Sequence, residues 1–339
     1  MIDLLVAGGG PVGLGTAAIA ARSGLSVVVA EPRAMPIDKA CGEGLMPGAV
    51  TALRELGAAP AGHPFVGIRY QDGTSHAQAR FRAGCGLGVR RTELHEALRE
   101  AAARAGADIR GTTVTDVRQD DGWVEAAGMR ARYLAAADGL HSPLRRRLDL
   151  ELPARGPRRY GLRQHFRVAP WSDYVEVHWS ARAEAYVTPV ADDLVGVAVL
   201  FTGRGHFDSW LAEFPELCQR LAGARPVSTV RGAGPLRQCV RRRVAGRVLL
   251  VGDAAGYVDA ITGEGVRLGL AAAAELVACV ASDRPAGYER AWRRISREYR
   301  WLSGALVQAG QYPRLRSRIV PAAAALPGAF GHALDLIAG

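Results

Sequence analysis

A glycine-rich hexapeptide near the start of the chain constrains its fold more than any other stretch. An apolar run, residues 2–7, passes directly into Gly8-Gly9-Gly10-Pro11-Val12-Gly13. A small-residue stretch, 14–22, follows and ends at Gly24. A β-branched run, 26–30, then stops at Glu31. The order is strand, tight turn, helix, strand, acid. Gly8, Gly10 and Gly13 fill the three glycine places of a dinucleotide-binding turn. The first permits the turn, the second lets backbone approach a pyrophosphate, and the third packs helix on strand. Free N–H groups at the helix start face the phosphates. Glu31, about twenty residues on, is placed to accept from ribose hydroxyls. An ordinary glycine turn in a parallel sheet is the plainer alternative; the flanking strands and the spaced acid favour the dinucleotide.

A chain of 339 residues can bury a large core and suggests about two domains. Its net charge of +10 raises nucleic acid or an anionic membrane as partners. The arginines are scattered, however, and the densest runs are only 145–147 and 241–243. Solvated faces and loop ends account for them, and nucleic acid is not expected. Cys41, Cys85, Cys218, Cys239 and Cys279 form no CxxC pair and no metal spacing with histidine. No metal is expected, and the placement fits a reducing cytoplasm. No basic segment precedes the first apolar run, so no signal peptide is expected. No apolar stretch is long enough to span a membrane without breakers.

Residues 32–36 read as irregular, and Lys39-Ala40-Cys41-Gly42-Glu43-Gly44 is a second glycine-rich patch. Pro47 and Gly57 bracket a short helix. Residues 65–70 and 75–81 are strand-like around Asp72-Gly73, a hairpin signal. Residues 84–88 read as a glycine-rich loop, after which Thr92 caps a helix ended by Gly106. An antiparallel meander over 112–137 returns to a parallel strand and runs into Asp138-Gly139. Period-two alternation over 160–201 predicts an antiparallel sheet, and 210–221 a helix. Residues 247–251 are again a buried parallel strand, ending at Gly252-Asp253-Ala254-Ala255-Gly256. Helices follow from about 263 to 282 and from about 287 to 308, then a Pro- and Gly-broken apolar tail. The fold class is α/β: a Rossmann-like domain with an inserted antiparallel β-sheet. Residues 1–60, 84–160 and 240–285 form the nucleotide domain, 61–83 and 161–239 the substrate sheet, and 286–339 the C-terminal helices.

Three patches fall at ends of parallel strands, where open α/β sheets bind ligands. They are 8–13 with Glu31, the Ala-Asp-Gly-Leu-His-Ser-Pro-Leu-Arg run at 137–145, and Gly-Asp-Ala-Ala at 252–255. Together they resemble the signatures of glutathione-reductase-type FAD proteins, in the branch that holds class A flavin monooxygenases. The 39–44 and 259–265 patches are similar to those of the geranylgeranyl reductase subgroup. The resemblance covers about residues 1–285. It implies FAD as cofactor, with Glu31, Pro32 and Arg33 around the adenosine ribose and Gly8, Gly10, Pro11, Val12 and Gly13 at the pyrophosphate. It places Asp253, between Gly252 and Ala254, by the ribityl chain, with Asp138 and Gly139 at the second patch. Asp138 also reads as a turn cap. Gly263, Glu264 and Gly265 would aim a helix N-terminus at the flavin, and Arg91 resembles an FAD-contacting arginine. The chain departs from its relatives in having Ala260 where proline is frequent. It also lacks the halogenase WxWxIP motif, and it has Tyr186-Val187-Thr188-Pro189 where the reductases carry aromatics.

Cys41 with Gly42, beside the expected flavin, is the sharpest catalytic candidate; a cation such as Lys39 would lower its pKa. His165, His178 and Tyr186 lie in the sheet that should roof the flavin and are the substrate-binding candidates. No second nucleotide fingerprint appears, so NAD(P)H is expected only as a transient electron donor. The leading expectation is an NAD(P)H-dependent FAD monooxygenase of a bulky apolar or aromatic small molecule. The alternative is a reductase adding hydrogen across a prenyl or polyene double bond, and the third a non-catalytic or electron-transfer flavoprotein. No obligate protein partner is expected. Arg314, Arg316 and Arg318 precede an apolar run, 319–330. The tail is expected to pack on the FAD domain and close the substrate cavity. Peripheral contact with an anionic membrane is the other reading.

Overall fold

The computed structural model describes residues 1–338. Strand Ile2–Ala7 lies at the centre of the first sheet, whose order is Val244–Ala245, Val248–Leu250, Met129–Ala136, Ile2–Ala7, Val27–Ala30, Asp108–Arg110. The four pairings from Val248–Leu250 to Asp108–Arg110 are parallel. Leu4, Leu5, Val6, Leu134 and Leu249 have no exposure, as continuous apolar runs in a two-sided sheet require. Helix Pro11–Arg22 packs between Arg91–Arg104 and Gly265–Ala281. The meander is present as Val117–Gln119, Val124–Ala126 and Met129–Ala136.

The second sheet runs Arg225–Pro226, Arg159–Arg167, Leu194–Thr202, Ala183–Ala191, Tyr174–Trp179, Gly67–Gln71, His76–Arg80, and Arg231–Ala233 also pairs with Arg159–Arg167. It is antiparallel except where Tyr174–Trp179 meets Gly67–Gln71 in parallel. That one junction arises because the chain enters the sheet twice, once as a hairpin and once as a meander. Its outer face carries Phe166, Val187, Val197 and Val199 under the helices Phe207–Leu211 and Pro215–Arg220. Its inner face carries Ile68, Tyr70, Val175, Val177 and Leu200 toward the first sheet.

Several expectations need correction. The helix expected over 210–221 is two short ones, because Pro215 starts a new helix and breaks the old. Residues 84–88 are not wholly a loop: Gly86–Gly88 pairs with Gly44–Leu45 and His63–Phe65 in a three-stranded sheet. Thr92 caps nothing. The helix begins at Arg91, and its first N–H is capped by the distant Glu43 carboxylate at 2.8 Å. The tail, helices Ile319–Ala325 and Pro327–Ala338, packs mainly on the Gly67–Gln71 and His76–Arg80 hairpin of the second sheet, with the helix Pro47–Glu55 alongside, and not chiefly on the first sheet's domain as expected.

Candidate active site

A cavity of about 950 Å³ lies between the two sheets. The first turn forms one end. Gly8 has φ +105°, and a Cβ there would meet the Ala137 carbonyl at 2.6 Å. A Cβ on Gly13 would sit 1.9 Å from the Gly8 carbonyl oxygen, so this glycine packs the helix on the strand. Gly10 differs: a Cβ would meet nothing within 4 Å, because this residue opens onto the cavity with Pro11 and Val12. Turn, opening and packing fall to the three glycines in that order.

Arg33, Lys39 and Arg91 converge on this end of the cavity. Burial depresses the Arg91 pKa, and its Nη1 is buried without a partner. Lys39 is pulled down by desolvation and by the neighbouring Arg33 and Arg91 charges. An open glycine turn, a helix N-terminus and an unpartnered guanidinium form a cradle that fits a dinucleotide diphosphate. Glu31 is buried behind the turn. It accepts from Gly9 N–H at 2.9 Å and is held by the Arg33 guanidinium at 2.7 Å. Arg33 therefore lies at the cavity, whereas Glu31 and the exposed Pro32 do not line it.

The second and third patches meet at the same cavity. Asp138 caps the turn through Leu144 N–H at 3.0 Å, and its Oδ1 is buried without a partner. Arg145, from the same patch, is fully buried and donates to the Leu140 and Ala254 carbonyls. It ties the second patch to the third. Gly139, Gly252, Asp253, Gly263 and Gly265 line the cavity; Ala254 and Glu264 lie behind it. Burial raises the Asp253 pKa, against the pull of Lys39, Arg91 and Arg145. Glu264 is also raised by burial and engages Arg267.

The 41–44 loop carries the feature that reading along the chain does not reveal. Glu43 has φ +60°, a conformation that costs an L-residue about 1–2 kcal/mol. In the inner face, His165, Gly196 and Thr188 form one row across three strands. The loop docks on that row. Thr188 Oγ1 donates to the Gly42 carbonyl at 2.8 Å, and Glu43 Oε2 lies 2.7 Å from His165 Nε2. A Cβ on Gly196 would come within 2.8 Å of Glu43 Oε2, so only glycine leaves room for the carboxylate there. Arg163 Nη1 is 3.1 Å from His165 Nδ1. Arginine only donates, so the network assigns Nδ1 as acceptor and places the proton on Nε2, facing Glu43. The Ser228 hydroxyl reaches the same Nδ1 at 3.0 Å from the half-buried side. Glu43 lines the cavity, His165 stands behind it, and Ser228 stands behind His165.

Cys41 also lines the cavity. Lys39 does not activate it, contrary to expectation. Burial pushes the thiol up, Glu43 adds to this, and Arg91 and Arg163 only partly oppose them. The environment of Cys41 thus favours the thiol over the thiolate. Tyr186 lines the cavity and donates to the Ile261 carbonyl at 3.1 Å. His178 does not face the cavity. Strand alternation turns it outward with Glu176, against Gln71 at 2.8 Å and beside Phe214. Of the three sheet candidates, only Tyr186 touches the cavity directly. Glu43 and Arg163 are functional candidates that motif reading alone passed over, although Glu43 belongs to the patch it singled out; Lys39, read there only as a modulator of Cys41, lines the cavity itself.

Beyond this row a chain of buried charges crosses the site. Arg159 bonds Asp259 at 2.8 Å and Glu184 at 2.7 Å, and Glu184 also holds Arg316 of the tail. The loop ahead of the helix Gly265–Ala281 is thereby fixed to the second sheet, and the sheet to the tail.

Comparison with known proteins bears on this geometry. A family described as "FAD binding domain" matches residues 1–196. A menaquinone reductase of Mycolicibacterium smegmatis is 28% identical over 88% of this chain and 80% of its own. A digeranylgeranylglycerophospholipid reductase of Methanothermobacter thermautotrophicus is 29% identical over 86% of this chain and 82% of its own. A flavoprotein/dehydrogenase of Cytophaga hutchinsonii superposes with a TM-score of 0.86 at 17% identity, over 99% of this chain and 92% of its own.

Proposed function

The chain belongs to the FAD binding domain family and is a flavin-dependent oxidoreductase, and from that premise we propose a reductase that saturates a carbon–carbon double bond in a prenyl- or polyene-bearing lipophile. FAD supplies the two-electron reducing chemistry when bound. The diphosphate falls to Gly10, Arg33 and Arg91, with Lys39 and Asp253 nearby. NAD(P)H serves as the transient donor. The substrate wall is apolar, built from Ile68, Val175, Val177, Leu200, Ile261 and Ile337. Such a wall suits an isoprenoid chain and excludes water.

The observation that carries the reading is the buried Glu43–His165 pair at 2.7 Å. Saturating a double bond consumes a hydride and a proton, and an apolar cavity must receive that proton from a fixed group. The Nε2–H of His165 holds the Glu43 carboxyl at the cavity wall. Glu43, protonated from solvent before the lipophile enters, hands that proton to the substrate carbon and is reprotonated after product leaves. The Cys41 thiol stands beside this route with its proton in place. An NAD(P)H-dependent monooxygenase of an apolar substrate fits the same cavity shape; the pair and the relatives' reductase names support the reductase.

The test uses Glu43→Gln and Cys41→Ser. Each variant should keep its FAD content, while product formation falls about tenfold or more. Turnover undiminished in both would remove this proton route.

A further inference from the structure

The C-terminal segment carries a surface that the reaction does not explain. Its two apolar stretches, Pro313–Ala325 and Pro327–Ala338, meet at 102° around Leu326. One side is firmly seated. Val320, Leu334 and Ile337 are buried, the Phe330 ring lies 5.0 Å from that of Tyr70, and Ile337 lines the cavity. Arg316 is buried against Glu184 and the Ala183 carbonyl. The other side is bare. Leu326 is 62% exposed and Leu315 54%, and residues 324–329 are all exposed at the bend. No Asp, Glu, Lys or Arg occurs from 319 to 334, and Asp335 is paired with Arg82 at 3.2 Å. Arg314 and Arg318, just before the helix Ile319–Ala325 that leads to the bend, are exposed and make no salt bridge among the described residues.

We propose that the bend docks on an anionic lipid bilayer, with Leu326 and Leu315 at the headgroup–acyl boundary and Arg314 and Arg318 on the lipid phosphates. An uncharged apolar bend preceded in the same segment by exposed, unpaired cations is complementary to such a surface. The same helices roof the apolar cavity through Ile337, so docking brings the membrane to the cavity's end. A lipophile would then pass from bilayer to cavity without crossing water. Because Arg316 fixes the segment to the sheet, the apex is presented rigidly and needs no unfolding to engage.

The experiment is flotation of the full-length holoprotein with vesicles of phosphatidylcholine, with and without phosphatidylglycerol, at low and high salt. Binding to the anionic vesicles should be released by salt. Arg314→Glu and Arg318→Glu should each weaken it about fivefold or more. Leu326→Asn combined with Leu315→Asn should weaken it more than tenfold. All four positions are exposed, and unchanged FAD content and unfolding midpoint verify that the variants fold. Full-length protein that fails to float with anionic vesicles at low salt would overturn the proposal. So would binding indifferent to every variant, or a concentration-dependent dimer that the same leucine changes dissolve. The readout needs no turnover, so it stands or falls apart from the reductase reading.

Discussion

Gly196→Ala tests the row beneath the 41–44 loop. It adds one methyl group to a strand interior, where the backbone suits alanine. The new Cβ would lie 2.8 Å from Glu43 Oε2, 3.6 Å from His165 Cδ2 and 3.8 Å from Val190 Cγ1. Only the carboxylate is too close, and it sits at the end of a flexible side chain, so the strand itself can stay in place. The carboxylate must retreat by several tenths of an ångström. That costs the bond to His165 Nε2 and strains the one to Arg91 N–H. A hydrogen bond to a charged group contributes about 1.5–3 kcal/mol. Lost in the reaction's transition state, it lowers turnover about 10- to 100-fold. The capping bond at Arg91 contributes about 1 kcal/mol to stability, by analogy with helix N-caps. The assay is turnover at saturating reductant, with flavin absorbance for occupancy and urea unfolding for stability. The expected result is full flavin, a small loss of stability and the stated loss of turnover. Wild-type turnover with the stability loss present would refute a working Glu43–His165 pair.

Gly10→Val should leave the apo fold intact, since its side chain enters open space, yet weaken FAD binding by about 100-fold, or 2.7 kcal/mol. Equilibrium dialysis of FAD against the apoprotein checks this, and Gly13→Ala should instead fail to fold because its Cβ meets the Gly8 carbonyl oxygen at 1.9 Å. Burial pushes Glu176 up, but hydrogen bonds from His178 and Trp171 outweigh it and bring its pKa down to about 2 from 4.5. A depressed carboxylate stabilises the fold above its unfolded pKa and loses that contribution as pH falls through 4.5 toward about 2, on the order of 3 kcal/mol. Urea midpoints over that range should drop steeply for the wild type and less for Glu176→Gln.

The nucleotide half was legible because its signals are local. Glycines 8, 10 and 13 are fixed by bonds within a single strand–turn–helix unit, and the buried parallel strands are continuous apolar runs. The second sheet was legible as alternation, but alternation does not say which face is inner. His178 and His165 therefore looked alike, and only the helices over Phe166 and Val187 turn His178 away from the cavity. Glu43 was illegible for a related reason: its partners are His165, Arg91 and the space above Gly196, all distant in sequence. Thr92 misled because a local cap was assumed where a carboxylate from another segment does the work.

The most direct measurement is the product formed when dithionite-reduced enzyme meets a polyprenyl substrate, without oxygen, in deuterated water. The account predicts a product saturated at one prenyl double bond, with both added hydrogens deuterium because dithionite supplies electrons only, and a slower yield of it from Glu43→Gln. Absence of any product until air is admitted, followed by a product carrying an added oxygen atom, would contradict it.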